Sequence, residues 1–385
     1  MKKFIAAAAA AMLLLTGCTV IEENAPPAET EALPSVAEGA AEKNLDTDSR
    51  YIYYQLSEQE QIYYNELKTA VEGFQDKVVY SGEIDIDTAR KIYLAVHNQE
   101  PQLFWMDSIF HPPGKYAQIL KYKYTKEQAA EKQKDIDLAA ENILSAVEGC
   151  SDYEKAVYFH DHLVRNNIFS LEDEHSANIY GALCGEYAQC QGYAFAFDYL
   201  CSRANIDCMT VTGDDGKGYT HAWNIVKLNG IWYNVDCTWD DPILDPHDPD
   251  FLRHYYFLVP DSDILDRSHF RNDEYFTYPK CYDSSRRYYE VEGLIADSAS
   301  DGIDKLKKAL EKAFSQGYYD AEVRFYDKSD YLAAQSLLFE LGDIKRVINQ
   351  AAEAAGIDGR ISPENSLRYK NDELYIIHIT AAPVS

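Results

Sequence analysis

Three side chains near the middle of this 385-residue chain have the types and spacing for covalent chemistry: Cys190, His221 and Asp236. After Cys190 come Gln191 and Gly192, then Tyr193, Ala194, Phe197, Leu200 and Cys201 at helical spacing. That pattern places the thiol at or just before a helix N-terminus. Such an end carries about half a positive charge. It stabilises a thiolate, whose pKa then falls below the ~8.5 of a free cysteine. His221 follows 31 residues later and Asp236 another 15. They lie on two β-rich runs split by Asn229-Gly230, a strong hairpin signal because a type I′ turn needs positive φ at both central residues.

With a two-residue loop there, Leu228 faces Ile231, Trp223 faces Asp236 and His221 faces Thr238. Cross-strand partners share a face and side chains alternate along each strand. One face therefore carries His221, Trp223, Ile225, Lys227, Trp232, Asn234, Asp236 and Thr238 and is mixed. The other carries Ala222, Asn224, Val226, Leu228, Ile231, Tyr233, Val235 and Cys237, is mostly apolar, and should meet the core. His221 and Asp236 are diagonal neighbours with Cβ atoms roughly 7 Å apart, a gap that an imidazole and a carboxylate can close.

The chemistry of such a set is nucleophilic acyl transfer. His221 takes the thiol proton. Asp236 fixes the imidazole tautomer and stabilises its cation. Cys190 attacks an amide or ester carbonyl to form a thioester, and its own backbone N–H is placed to donate to the oxyanion. The competing reading of the His–Asp pair is a buried hydrogen bond that only holds a sheet together. Among the other cysteines, Cys184 precedes the helix and is the rival nucleophile. Cys201 and Cys237 fall on apolar faces, and Cys208 opens a short strand.

Three blocks carry a family likeness: Cys190-Gln-Gly-Tyr-Ala194, His221-Ala-Trp-Asn224, and the run from Trp232 to Pro242, WYNVDCTWDDP. Together they resemble the core of the transglutaminase-like superfamily, over roughly residues 151–269. The resemblance implies a papain-like α+β fold in which a Cys-bearing helix packs on an antiparallel sheet. It assigns Cys190 as nucleophile, His221 as base and Asp236 as the orienting residue. Papain-type enzymes carry a second oxyanion donor, a Gln six residues before the Cys; here Cys184 has that spacing. Tyr193, Trp223 and Trp239 are candidates to line the substrate groove.

Other elements must hold this core. Ser57 and Glu60 form a capping box, as do Ser151 and Glu154. Tyr63, Leu67, Ala70, Val71 and Phe74 then follow at helical spacing up to Gly73, Pro101 to Tyr124 is aromatic and irregular, and Ile136 to Val147 is helical. His160 and His162 lie two apart on a helix, about 200° round its axis. They make a poor metal pair and read as structural or solvent-facing. The last hundred residues form a small α/β unit: a strand over Tyr288–Ile295, a helix from Ile303 to Phe314 stopped by Gly317, a strand over Ala321–Tyr326, helices over 328–355, and a hairpin over Leu367–Thr380 turning at Asn371-Asp372.

The N-terminus is a targeting segment. Lys2 and Lys3 precede a 12-residue apolar stretch, Phe4 to Leu15, too short for an ordinary span. It ends in Leu15-Thr-Gly-Cys18, which resembles the lipobox of bacterial lipoproteins, with Cys18 as the lipid attachment. Residues 19–48 are rich in Ala, Glu and Pro and cannot bury enough surface to order themselves; they form a tether. The division expected is 1–18 signal peptide, 19–48 tether, 49–150 mainly helical region, 151–284 catalytic domain and 285–385 small α/β domain. The net charge of −28 argues against nucleic acid as a partner.

Seven cysteines besides Cys18 cannot all pair, and none forms a zinc pattern. No cofactor or metal is expected. The carboxylates of Asp240–Asp250 suggest calcium weakly, since the Gly and terminal Glu of an EF-hand loop are missing. The sequence therefore describes an exported, lipid-anchored cell-surface cysteine enzyme that hydrolyses peptide or isopeptide bonds of an extracellular protein or cell-wall peptide. A protein-crosslinking transglutaminase and a non-catalytic surface binding module are the alternatives.

Overall fold

The computed structural model describes residues 21–22, 51–241, 251–265, 268–283, 285, 287–357 and 359–384. The signal, lipobox and most of the tether lie outside that set, as does the acidic loop from Pro242 to Asp250. No helix among the described residues is long and apolar enough to cross a membrane.

Both capping boxes form. Ser57 Oγ accepts from the Glu60 N–H while the Glu60 carboxylate accepts from the Ser57 N–H at 2.7 Å, starting α1 (Glu58–Glu72). α1 and α2 (Ile86–Gln99) pack their apolar faces with the irregular segment 101–120 into a first core. α3 (Lys126–Ser145) and α4 (Asp152–Asn166, started by the Ser151 box) belong to a second core, built around α5 (Cys190–Arg203). Every residue of α5 from Cys190 to Cys201 is buried, so this helix is the axis of the molecule.

α5 lies on a five-stranded antiparallel sheet with strand order β4-β3-β2-β1-β5. The strands are β1 (Cys208–Asp214), β2 (Thr220–Leu228), β3 (Ile231–Val235), β4 (Phe257–Val259) and β5 (Phe270–Arg271). The apolar face of the hairpin packs in the α5 core through Val226, Leu228, Tyr233 and Val235, as its alternation predicts. The mixed face is covered as well. Trp223, Ile225, Met209 and Val211 sit under Val259, Ile264 and Cys281, a layer supplied by chain far downstream. The helix-and-sheet class expected from the sequence is the one observed.

The C-terminal unit has a four-stranded sheet in the order β6-β7-β9-β8: β6 (Ile295–Ala296), β7 (Asp320–Phe325), β8 (Ile361–Asn371) and β9 (Ile376–Pro383). It packs against α6 (Ala299–Ser315) and α7 (Asp343–Ala354). Two expectations change here. Residues 287–291 are helical rather than extended, because neighbouring tyrosines serve different partners: Tyr289 donates to Glu322 at 2.9 Å and Tyr288 stacks on His254. The hairpin turns over 372–375 rather than at Asn371-Asp372, since Asn371 Oδ1 accepts from the N–H groups of Glu373 and Leu374 and stretches the loop.

Candidate active site

The hairpin register is the one read from Asn229-Gly230. Both turn residues have positive φ, 52° and 83°. Pairing runs from Leu228↔Ile231 to Asn224↔Val235. It does not extend to His221 opposite Thr238. β3 stops at Val235, and Asp236 instead caps a helical turn, Cys237–Asp240, with one carboxylate oxygen accepting from the Trp239 N–H at 3.0 Å. Asp is a preferred N-cap, and its short side chain reaches the first-turn amides. The other oxygen, Oδ2, stays aimed across the sheet, 2.6 Å from His221 Nε2.

A second imidazole, unforeseen in the sequence, shares that oxygen. His269 Nε2 lies 2.8 Å from Asp236 Oδ2, and its Nδ1 meets Ser268 Oγ at 2.9 Å. His269 sits just before β5, which pairs with β1 at Gly213. A Cβ at Gly213 would lie 2.0 Å from the Phe270 carbonyl, so only glycine lets this strand come close. Gly213 is also the β1 partner of His221. No local pattern marks His269, because its partner is fixed only when β5 docks on β1.

Asp236 is 1% exposed. Burial pushes its carboxyl up, but the His221 charge and hydrogen bond, then those of His269, outweigh it and hold the group well below the usual carboxylate range. Burial lowers His269, against the hydrogen bond to Asp236 that raises it.

Cys190 is the first residue of α5 and is 6% exposed. Close packing of this end depends on Gly192, where a Cβ would meet the Ser176 carbonyl at 2.1 Å. Cys190 and His221 line one cleft of about 270 Å³ with Gln189, Thr238, Trp239 and Phe169. The structure thus brings a helix-start cysteine and a carboxylate-bound histidine to the same opening. Cys190 is disulfide-bonded here, and acyl-transfer chemistry concerns its reduced thiol.

Of the three groove candidates, Trp239 lines the cleft, its ring 5.9 Å from that of His221. Tyr193 and Trp223 do not; each is 1% exposed. Tyr193 is a core residue whose hydroxyl donates to Asp241 at 2.5 Å. Trp223 lies near-parallel to the His221 ring at 5.9 Å and 18°, backing the imidazole. Both sit on faces that a one-sided reading of helix and hairpin leaves open but that later chain covers. Cys184, the rival nucleophile, ends a helical turn at the surface; partial burial, then the Asp135 charge, pushes its thiol up to about 11. Cys201, Cys208 and Cys237 are buried.

His160, read as structural or solvent-facing, takes the first of those places. It is fully buried, between Asp161 and Asp240, while His162 is half-buried.

Residues 139–237, which hold Cys190, His221 and Asp236, match the model of the transglutaminase-like superfamily. The chain carries a transglutaminase-like domain. Kyphoscoliosis peptidase of Homo sapiens is 33% identical over 113 residues, 26% of this chain and 17% of that protein. The Mus musculus protein of the same name is 32% identical over 113 residues. The chain thus spans about a sixth of the curated relatives it matches. A crystal structure of a TGase aligns with 30% of this chain and 34% of its own at 18% identity and a TM-score of 0.26.

Proposed function

We propose that this protein is a thiol acyl-transfer enzyme that hydrolyses peptide or isopeptide bonds through a Cys190 thioester, and that Cys18 anchors it outside the cell membrane. The observation that carries the enzymatic reading is the buried 2.6 Å contact between His221 and Asp236, with His221 and Cys190 lining one cleft. In the reduced enzyme His221 takes the Cys190 proton, and Asp236 holds the ring and offsets its charge. The thiolate adds to the substrate carbonyl, and the oxyanion faces the Cys190 N–H at the start of α5. His221 then gives its proton to the leaving amine. Water enters on the same base and releases the acid. The peptidase name of the curated relatives and the open cleft favour water as acceptor. The anchoring reading rests on the basic start, the short apolar stretch and Leu15-Thr-Gly-Cys18.

The test is the pH dependence of alkylation at Cys190, read by mass spectrometry on the reduced full chain, in wild type and His221→Ala. Reactivity that stays high well below pH 8 and is lost in the variant supports the pair. Titration near the free value of ~8.5, unchanged by the mutation, overturns it.

A further inference from the structure

The molecule holds a second histidine–carboxylate cluster, where the C-terminal unit meets the catalytic domain. α4 brings His160 and Asp161, the chain before β4 brings His254, and β7 brings Glu322. Asp161 Oδ1 lies 3.0 Å from His160 Nδ1 and 2.9 Å from His254 Nε2. The outer nitrogen of each ring meets another carboxylate: His160 Nε2 is 3.2 Å from Asp240 Oδ2, and His254 Nδ1 is 2.7 Å from Glu322 Oε1. The His254 N–H also donates to that Glu322 oxygen, and the Tyr289 hydroxyl donates to the other. Phe257 and Tyr288 pack against the two rings, Tyr288 stacked on His254 at 3.8 Å.

We propose that His160 Nδ1, His254 Nε2 and Asp161 form a divalent transition-metal site, of which zinc is the representative ion. These donor atoms lie within 4.8 Å of one another. Ligands of a tetrahedral zinc with bonds of about 2.0–2.1 Å sit roughly 3.3 Å apart, so small shifts admit the ion. Metal-bound histidines characteristically give their other N–H to a carboxylate, which fixes the tautomer and aims the free nitrogen inward. Asp240 and Glu322 stand in those two positions. Two neutral imidazoles and one carboxylate are a donor set that suits zinc rather than calcium.

The way in is a cavity of about 440 Å³ whose wall includes Asp161, His254, Glu322 and Asp320. It leaves room for a water as fourth ligand. Glu322 belongs to the C-terminal sheet, and the ion would therefore tie that unit to the catalytic domain. The His221–Asp236–His269 group also gathers three donor atoms. There both rings spend Nε2 on one oxygen and neither has a carboxylate behind it, so the outer-shell pattern is missing.

The experiment is a zinc titration of the chelator-treated full chain after alkylation of its accessible thiols, by calorimetry with metal content checked by mass spectrometry. One zinc per chain is expected, with affinity rising with pH because the ion displaces protons. His254→Gln and Asp161→Asn should each weaken binding roughly 10–100-fold, while His221→Ala binds as wild type. Asp161 is partly exposed, so its variant carries the test if His254→Gln does not fold. Absence of zinc binding by the wild-type chain overturns the proposal. So does binding lost in His221→Ala but kept in Asp161→Asn.

Discussion

Among the described residues, two groups bring a pair of histidines together around carboxylates, and they do so in opposite proportions. At the cleft, His221 and His269 share one oxygen of a single carboxylate, Asp236. At the domain junction, Asp240, His160, Asp161, His254 and Glu322 alternate acid and base, so every ring nitrogen has a carboxylate oxygen. The junction therefore favours the charged form of both imidazoles. Burial lowers His254, but the Asp161 charge and the hydrogen bonds to Asp161 and Glu322 outweigh it and push the group up to about 10. The cleft has one carboxylate for two rings, and there burial outweighs the Asp236 hydrogen bond and lowers His269. Both groups are buried histidine–aspartate clusters; what separates them is the ratio of acids to bases and the presence of Cys190.

The largest test of that contrast removes the nucleophile. In reduced protein, Cys190→Ala should cut amide hydrolysis by roughly 10³–10⁶-fold while the thermal unfolding midpoint stays put. Turnover that survives the change removes the cleft from catalysis. Next, Asp236→Asn should lower kcat by roughly 10²–10⁴-fold, since an amide supports the wrong tautomer. An unchanged rate would make this pair as purely structural as the junction.

The junction answers in stability. Glu322→Gln leaves buried His254 with one anionic partner fewer, and loss of a partner in a buried pair costs about 3–5 kcal/mol. Chemical unfolding measures it. The sign with pH follows from the raised His254 group: its stabilisation is complete below the ordinary histidine value of ~6.5 and is lost as pH rises through about 10. Asp236 works the other way. Its contribution is complete above ~4 and fades only as pH falls below the usual carboxylate range. Unfolding curves from pH 3 to 11 should show both flanks, the alkaline one reduced in Glu322→Gln.

A smaller effect should follow His269→Gln. Losing one charge-assisted hydrogen bond of about 1.5 kcal/mol leaves Asp236 less firmly held and slows kcat roughly tenfold with KM little changed. A change confined to stability would make His269 a packing residue alone. A change in the pH profile alone is expected at Asp198 on α5, a buried carboxyl whose hydroxyl partner is Thr210 at 3.2 Å. Burial pushes it up to about 7. Its contribution is present at low pH and lost as pH rises through that value, so Asp198→Asn should flatten the stability profile between pH 4 and 8.

The sequence by itself determined the local elements of the site. Asn229-Gly230 fixed the hairpin register because few residues accept its turn geometry, and the pattern after Gly192 started the helix at Cys190. The capping boxes at Ser57 and Ser151 were legible because both partners lie within four residues. Only the tertiary structure decided which faces stay open. Trp223 looked available until the chain beyond residue 250 packed over the mixed side of the hairpin, and Tyr193 until the α5 core closed round it with Asp241 on its hydroxyl. His269 joined Asp236 because β5 docks against a glycine on β1, 56 residues earlier. His160 found its partners 80 and 94 positions away, at Asp240 and His254. Hydrogen bonds within one turn are written in the order of residues; those between elements are set by burial, which brings together chemistry that spacing along the chain does not encode.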